Sequence, residues 1–120
     1  MQESEDKIGS LRSRIRNFIL KVISFAKLLP RDEVSRVLIN QLLRSATSIG
    51  ANFEESSEAE SIKDIIHKMS IVMKETKETK YWLELIFESY PAINSATRQL
   101  IVESGELLRI FASIISKKKS

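Results

Sequence analysis

The sequence has no cysteine, a single histidine, and only 3 glycines and 2 prolines among its 120 residues. Without cysteine the chain cannot form a disulfide, a thiolate metal site or a catalytic thiol. Because glycine and proline are scarce, the chain has few of the turn residues that β-hairpins need, and this favours long helices. These absences predict an all-α protein of a reducing compartment, and we expect it in the cytoplasm.

Long apolar runs are missing as well. A membrane-spanning helix needs about 20 consecutive apolar residues, and no segment of this chain approaches that length. The first six residues include three acidic residues and no basic one, whereas a secretory signal starts with basic residues. The sequence therefore predicts a soluble protein without a targeting signal, built as one domain over residues 1–120.

The residues that would carry catalysis or bind a metal are also sparse. A di-iron bundle needs a Glu-x-x-His motif on two helices, and Asp64 with His67 imitates only one half of that pattern. No arginine precedes His67 at the spacing of the helical toxin ribonucleases, and no phosphate-binding loop or nucleophile elbow is present. We therefore expect a non-enzymatic protein with no metal and no cofactor, and we expect His67 on the surface.

Four segments show apolar residues at spacings of three and four, which is typical of amphipathic helices. Pro30 predicts the end of the first helix and the first position of the second. A capping box predicts the start of the third helix, with either Ser57 or Ser61 as the capping residue. Pro91 predicts its end. The predicted helices cover residues 7–29, 31–56, 61–89 and 93–117.

Linkers this short make consecutive helices fold back on each other, which predicts an antiparallel up-down-up-down four-helix bundle. The second and fourth helices each carry a second apolar ridge beside their main apolar stripe. Its members are Ile39, Leu43, Ala46, Ile101, Leu108 and Ile115. A monomer needs only one apolar stripe per helix, so this surplus predicts a homo-oligomer.

The second helix contains a run of small polar residues that lowers its intrinsic helix propensity. Four of its polar residues, Gln41, Ser45, Ser48 and Asn52, share one face. They predict a polar ladder against the third helix, with Glu75, Thr76 and Thr79 as candidate partners. We favour close packing that fixes the helix register over the alternative of a ligand site. Gly50 and Gly105 are predicted as points of close helix approach.

Charges interrupt the apolar stripe of the third helix at residues 74–80, just before two aromatic residues. We expect a solvated face with pairs such as Lys74 with Glu78. Tyr81 and Trp82 point about 100° apart on a helix, so at least one of them should lie in the core or in an interface. For the other of these two aromatic residues, the alternative is stacking on a base of a nucleic acid.

The net charge is +3, but the basic residues are concentrated in the first helix and in the tail. They are Lys7, Arg12, Arg14, Arg16, Lys21, Lys27, Lys117, Lys118 and Lys119. This concentration supports the hypothesis of a homo-oligomer that binds RNA or DNA phosphates without sequence preference. The mixed charge of the third helix and the acidic corner at residues 54–60 support a second hypothesis, a protein–protein adaptor.

Three segments carry a resemblance to a known family: QLLRSATSIGANFEE from Gln41, KETKETKYWLEL from Lys74 and ESGELLRIFASIISKK from Glu103. They resemble the bacterial four helix bundle protein family, which includes proteins encoded in intervening sequences of 23S ribosomal RNA genes. That family is similar to the accessory variability determinant of diversity-generating retroelements. The family pattern matches Gln41, Arg44, Ser45, Ser48, Asn52 and Glu75, for which we expect structural roles.

The resemblance implies a four-helix protomer and, for some relatives, a homopentameric barrel. It also implies a basic surface that binds RNA or DNA, in some cases together with a reverse transcriptase. No membrane partner is implied.

Overall fold

The structure, a computed structural model, describes residues 2–120, with side chains from residue 7 onward. Over that range the chain forms four long helices and no strand: α1 (Gln2–Ala26), α2 (Glu33–Ser57), α3 (Ile62–Ser89) and α4 (Asn94–Lys119). A short 3₁₀ helix, Pro91–Ile93, precedes α4. The predicted all-α class with four helices is confirmed for this part of the chain.

The connection between α1 and α2 differs from its prediction. The last turn of α1 is tightened by 3₁₀-type bonds, such as the one from the N–H of Leu28 to the carbonyl of Phe25 (2.9 Å), so the α-helix ends at Ala26. Pro30 lies in the loop, and the Asp32 carboxylate caps α2 by accepting from the N–H of Ser35 (2.9 Å). The prediction that Pro30 begins α2 is wrong. The Asp32 side chain caps the helix by accepting a hydrogen bond from a backbone N–H of its first turn, whereas a proline would only remove one such N–H.

The start of α3 follows one of its two predictions. Ser61 is the N-cap, and its hydroxyl accepts from the N–H of Asp64 (3.1 Å). Ser57, the alternative, is the last residue of α2. The α3 helix ends at Ser89, and Pro91 occupies the first position of the 3₁₀ helix, where its missing N–H costs nothing.

The four helices are arranged in a cycle. The α1 helix packs against α2 and α4, and α3 packs against the same two helices from the opposite side. Neighbours run antiparallel: near the start of α2, the hydroxyl of Ser35 shares a hydrogen bond with that of Tyr90 (2.9 Å), just beyond the end of α3. The arrangement is the up-down-up-down bundle that the short linkers predict.

Residues from all four helices form one core. Its fully buried large side chains are Ile15, Phe18, Val22, Leu42, Ile49, Val72, Leu83, Ile86, Leu107 and Phe111. The predicted second ridges also belong to it, since Ala46 is fully buried and Ile39, Leu43, Ile101 and Ile115 pack against the core. The ridge residues other than Ala46 are only partly buried, and the most exposed large apolar side chains lie elsewhere.

The α1 helix stands further from its neighbours than the other helices do. Its buried side chains include the bulky Phe18 and Phe25, whereas α2 and α3 meet across the small side chains of Ser45, Thr76 and Thr79. Interaxial distances follow the size of the side chains between two helices. The bundle is therefore tight between α2 and α3 and more open along α1.

The two glycines singled out by sequence behave differently. A Cβ atom on Gly50 would lie 2.8 Å from Cδ1 of Ile19, so the predicted close contact at Gly50 is made by the Ile19 side chain of α1, which lies directly against the α2 backbone. A Cβ atom on Gly105 would meet no atom nearer than Nη1 of Arg109, at 4.0 Å. The prediction of close approach at Gly105 is wrong.

The composition of the core predicts that two isoleucines of α3 contribute very differently to the free energy of unfolding. Ile86→Ala, at a side chain that is 0% exposed, should lower the free energy of unfolding by about 2–5 kcal/mol because it leaves a cavity. Ile62→Ala, at a side chain that is 59% exposed, should change it by about 0.5 kcal/mol or less. Urea denaturation followed by circular dichroism measures both, and equal effects would contradict this core.

Candidate nucleic-acid interface

Two of the arginines assigned to nucleic-acid binding are occupied within the chain. Arg12 on α1 donates from Nε to Oε1 of Glu54 at the end of α2 (2.8 Å). Arg14 donates from Nε and Nη2 to the two carboxylate oxygens of Glu103 on α4 (3.2 and 2.5 Å). Its Nη2 also donates to Oε2 of Glu106 (2.5 Å). These arginines connect α1 to both of its neighbours.

We call Arg14, Glu103 and Glu106 the Arg14 cluster. The hydrogen bonds from Arg14 hold the pKa of Glu103 below its ordinary value, against the opposing effect of partial burial. The hydrogen bond with Glu103 in turn raises the pKa of Arg14. One cation therefore serves two carboxylates, and the cluster carries a net charge of −1 at neutral pH.

The other predicted cations of α1 are exposed but spread out. Arg16, Lys21 and Lys27 make no ion pair within hydrogen-bonding distance among the side chains of residues 7–120, although the charge of Lys21 is near enough to lower the pKa of Glu103. Lys27 follows the last α-helical turn, at one end of a molecule 47 Å long. The predicted α1 cations therefore do not form a single cluster.

The lysine tail lies at the other end of the bundle. Lys117, Lys118 and Lys119 are exposed in the last turn of α4, beside the beginning of α1. A groove of about 560 Å³ there is bordered by Lys7, Arg109 and Lys117. The structure therefore separates the tail from Lys27.

The family-pattern residues lie together where α2 packs on α3. The hydroxyl of Thr79 donates to Oγ of Ser45 (2.8 Å), and both side chains are fully buried. Ser48 and Asn52 do not cross to α3, because the Asn52 amide donates to the Ser48 carbonyl in its own helix (2.8 Å). The predicted ladder is therefore reduced to one buried hydrogen bond.

An ion-pair cluster lies beside this hydrogen bond. Arg44 of α2 reaches two glutamates of α3, with Nη1 at 3.5 Å from Oε2 of Glu75 and a second ion pair to Glu78. Its Nε also donates to the side-chain oxygen of Gln41 (3.2 Å). We call Arg44, Glu75 and Glu78 the Arg44 cluster. This cluster contradicts the predicted pair of Lys74 with Glu78, because the Glu78 carboxylate binds Arg44 instead.

The segment KETKETK (residues 74–80) is sorted by residue type around α3. Thr76 and Thr79 are fully buried, and the two glutamates face α2, where Arg44 binds them. Lys74 and Lys77 are left exposed on the outer side. Sequence analysis paired Lys74 with Glu78 and did not single out Lys77. The recurrence of lysine, glutamate and threonine every three residues is the signal that could have indicated their different environments.

An exposed aromatic side chain follows these lysines. Tyr81 is 53% exposed, and its ring meets that of Trp82 edge to face, with 5.1 Å between centroids. Trp82 is half-buried, packs against the core and donates weakly from Nε1 to Glu78 (3.4 Å). Of the two aromatic residues, Trp82 is therefore the one that packs on the core.

The described residues contain neither a metal-binding group nor a helix suited to a membrane. Within them no three histidine, cysteine, aspartate or glutamate side chains are grouped to hold a metal ion. His67 is exposed on α3, as expected. In the same part of the chain, none of the helices has the length and apolar character needed to cross a membrane.

The Arg14 cluster predicts a pH dependence of stability. Because the pKa of Glu103 is lower in the folded chain, its contribution is complete above the ordinary glutamate value of about 4.3 and is lost as the pH falls through the lowered value. Arg14→Gln should therefore reduce the fall in unfolding free energy between about pH 5 and about pH 3, and should cost about 1 kcal/mol or less at pH 7 because the cluster is partly exposed.

Arg16→Gln is the matched control, since Arg16 is on the same helix and has no ion pair among the described side chains. Urea denaturation across this pH range compares the three proteins. Identical pH profiles for wild type and Arg14→Gln would contradict the role assigned to the cluster.

Comparisons with known proteins agree on the family. The family described as 23S rRNA-intervening sequence protein matches residues 11–113. A crystal structure of a protein of unknown function from the S23 ribosomal protein family of Bacteroides thetaiotaomicron superimposes with a TM-score of 0.80 at 33% sequence identity, covering 88% of this chain and 97% of that chain. No curated protein matches the chain. With the match extending from α1 to α4, the chain belongs to the 23S rRNA-intervening sequence protein family.

Proposed function

We propose that this protein is a non-enzymatic, cytoplasmic homo-oligomer that binds RNA or DNA through phosphate contacts with little sequence preference. The observation that carries the proposal is the segregation of charge between the helix contacts and the outer surface. Among the side chains of residues 7–120, six glutamates form ion pairs with only four cations. The remaining surface is therefore more basic than the net charge of +3 indicates.

The Arg14 and Arg44 clusters account for this imbalance, because each gives two carboxylates to one arginine. Both clusters lie at helix contacts, where their side chains are partly exposed. Exposed cations that have no ion pair among the described side chains, such as Lys74 and Lys77, can therefore bind phosphate without first breaking one. Such contacts neutralise phosphates and release counterions, so they give affinity without reading the bases.

Oligomerisation is supported by two separate patches of exposed apolar side chains. Leu20 and Leu28 are each more than half exposed along the groove between α1 and α4, Val102 is more than half exposed on the adjoining surface of α4, and Val34 and Val37 are exposed at the start of α2. We call these the α1–α4 patch and the α2 patch. Two different patches on one chain favour head-to-tail contacts, which form a ring when the rotation closes. A homopentamer is the ring that the family resemblance implies.

A ring would also strengthen the binding proposal. Each copy adds its own surplus of unpaired cations, so the potential of the assembly exceeds that of one chain. The α3 helix packs on the side of the bundle opposite α1. Contacts through the α1–α4 patch would therefore leave its outer lysines accessible.

Light scattering tests the assembly. Wild-type protein at micromolar concentration should have a mass that is a multiple of 13.7 kDa, and Leu20→Glu with Leu28→Glu should shift it towards the monomer, because two charges would be buried without partners. Ile62→Glu is the control, since Ile62 is exposed in the first turn of α3, outside both patches. A wild-type protein with the mass of a single chain would contradict the proposed oligomer.

Fluorescence polarisation with a labelled RNA or DNA tests the binding. Affinity should fall steeply between about 50 mM and about 200 mM salt, in proportion to the number of phosphates neutralised. Absence of binding to either nucleic acid at about 50 mM salt would contradict the proposal. A protein partner that is retained after nuclease treatment of an extract, together with that absence, would favour the adaptor alternative, which the apolar groove between α1 and α4 supports.

A further inference from the structure

The outer side of α3 carries a row of exposed residues that the bundle does not use. Lys63, His67, Lys74, Lys77 and Tyr81 follow each other at spacings of four, seven, three and four, which places them on one side of the helix. All five are exposed. At about 1.5 Å per residue the row extends over about 27 Å. We call it the α3 face.

The positive charge of this face is not neutralised by its own helix. Lys77 has no carboxylate three or four positions away in either direction. The nearest such carboxylate to Lys74 is that of Glu78, which Arg44 binds across the contact with α2. The Arg44 cluster therefore withdraws the glutamates of the KETKETK segment and leaves its two outer lysines available to an external anion.

Tyr81 adds an aromatic surface directly beside the cations. It lies one helical turn, about 6 Å, beyond Lys77. Its edge-to-face contact with Trp82, whose ring planes meet at 68°, restricts the ring while about half of the side chain stays exposed. Trp82 packs against the core, so this contact ties the Tyr81 ring to the rigid part of the bundle.

Acidic residues mark the end of the face. Glu84 and Glu88 continue the same side of α3 after Tyr81 and are also exposed. They repel a polyanion beyond the tyrosine. A bound strand would therefore extend from Tyr81 towards Lys63.

We propose that the α3 face binds single-stranded RNA or DNA, with Lys74 and Lys77 contacting phosphates and Tyr81 stacking on a base. The inference deepens the proposed function and rests on it. A flexible single strand can place a phosphate at Lys77 and turn the neighbouring base onto Tyr81. A duplex holds its bases stacked in the helix interior and offers only phosphates to such a face. The stacking residue therefore gives the surface a preference for single strands.

The test compares single-stranded and duplex forms of one fluorescein-labelled oligonucleotide by polarisation with full-length protein. Tyr81→Ala should weaken binding to the single strand by about tenfold, because base stacking on an aromatic ring contributes about 1–3 kcal/mol. It should leave duplex binding unchanged. Tyr81→Phe should retain the affinity for the single strand, since phenylalanine keeps the ring.

Two double variants with equal loss of charge test the lysines. Lys74→Gln with Lys77→Gln should weaken binding and reduce the salt slope by about 1.4, because each phosphate on a single strand contributes about 0.7. Lys21→Gln with Lys27→Gln removes two exposed lysines that lie outside the α3 face, and it should reduce the slope and the affinity by less than the α3 variant does. Thermal unfolding followed by circular dichroism checks that all variants fold.

The outcomes separate this inference from the proposed function. If wild-type protein binds but both double variants lose affinity equally and Tyr81→Ala has no effect, the α3 face is not the site, and diffuse binding by the whole basic surface remains. Preference of the wild type for the duplex would overturn the inference in the same way. Failure of the wild type to bind either form would remove the proposed function itself.

Discussion

The close contact between α2 and α3 determines how charge is distributed on this protein. Small side chains line it, including the buried pair of Ser45 and Thr79, and they let the two helices approach closely enough for one arginine to reach two glutamates of the other helix. An exposed ion pair contributes about 0–1 kcal/mol, whereas burial of one large apolar side chain contributes about 1.5–3 kcal/mol. The Arg44 cluster therefore matters less for the stability of the bundle than for where unpaired positive charge is left.

The α1 helix is connected to its neighbours in a different way. Its aromatic core residues keep it further from its neighbours, and long arginine side chains span the remaining gap to α2 and α4. Arg12 and Arg14 therefore have a structural role in the folded chain, whatever their role towards a ligand. The same open spacing leaves the apolar groove between α1 and α4, where Leu20 and Leu28 are exposed.

Family membership accounts for the architecture, and the surface has to account for the activity, because one fold supports many functions. The proposals assign different jobs to opposite sides of the bundle. Apolar contacts along α1 and α4 would join copies, and the α3 face would contact a strand of nucleic acid. An assembly built in this way would repeat the α3 face once per copy, and the affinity for a long strand would rise through multivalency.

The sequence by itself determined the helical class and the number of helices, narrowed the cap of α3 to Ser57 or Ser61, and indicated a close contact at Gly50, since these depend on local periodicity, capping and residue size. It also placed Ser45 and Thr79 on the faces that meet. Only the tertiary structure decided which cations are paired, because the partners are distant in the chain: Arg14 and Glu103 are 89 positions apart, and Arg44 and Glu75 are 31 apart. The spacing rules of a single helix assign Glu78 to Lys74, but the approach of α2 brings Arg44 to the same carboxylate. Helix packing therefore decided which charged side chains are paired and which are free, and the pattern of residues along the sequence does not contain that information.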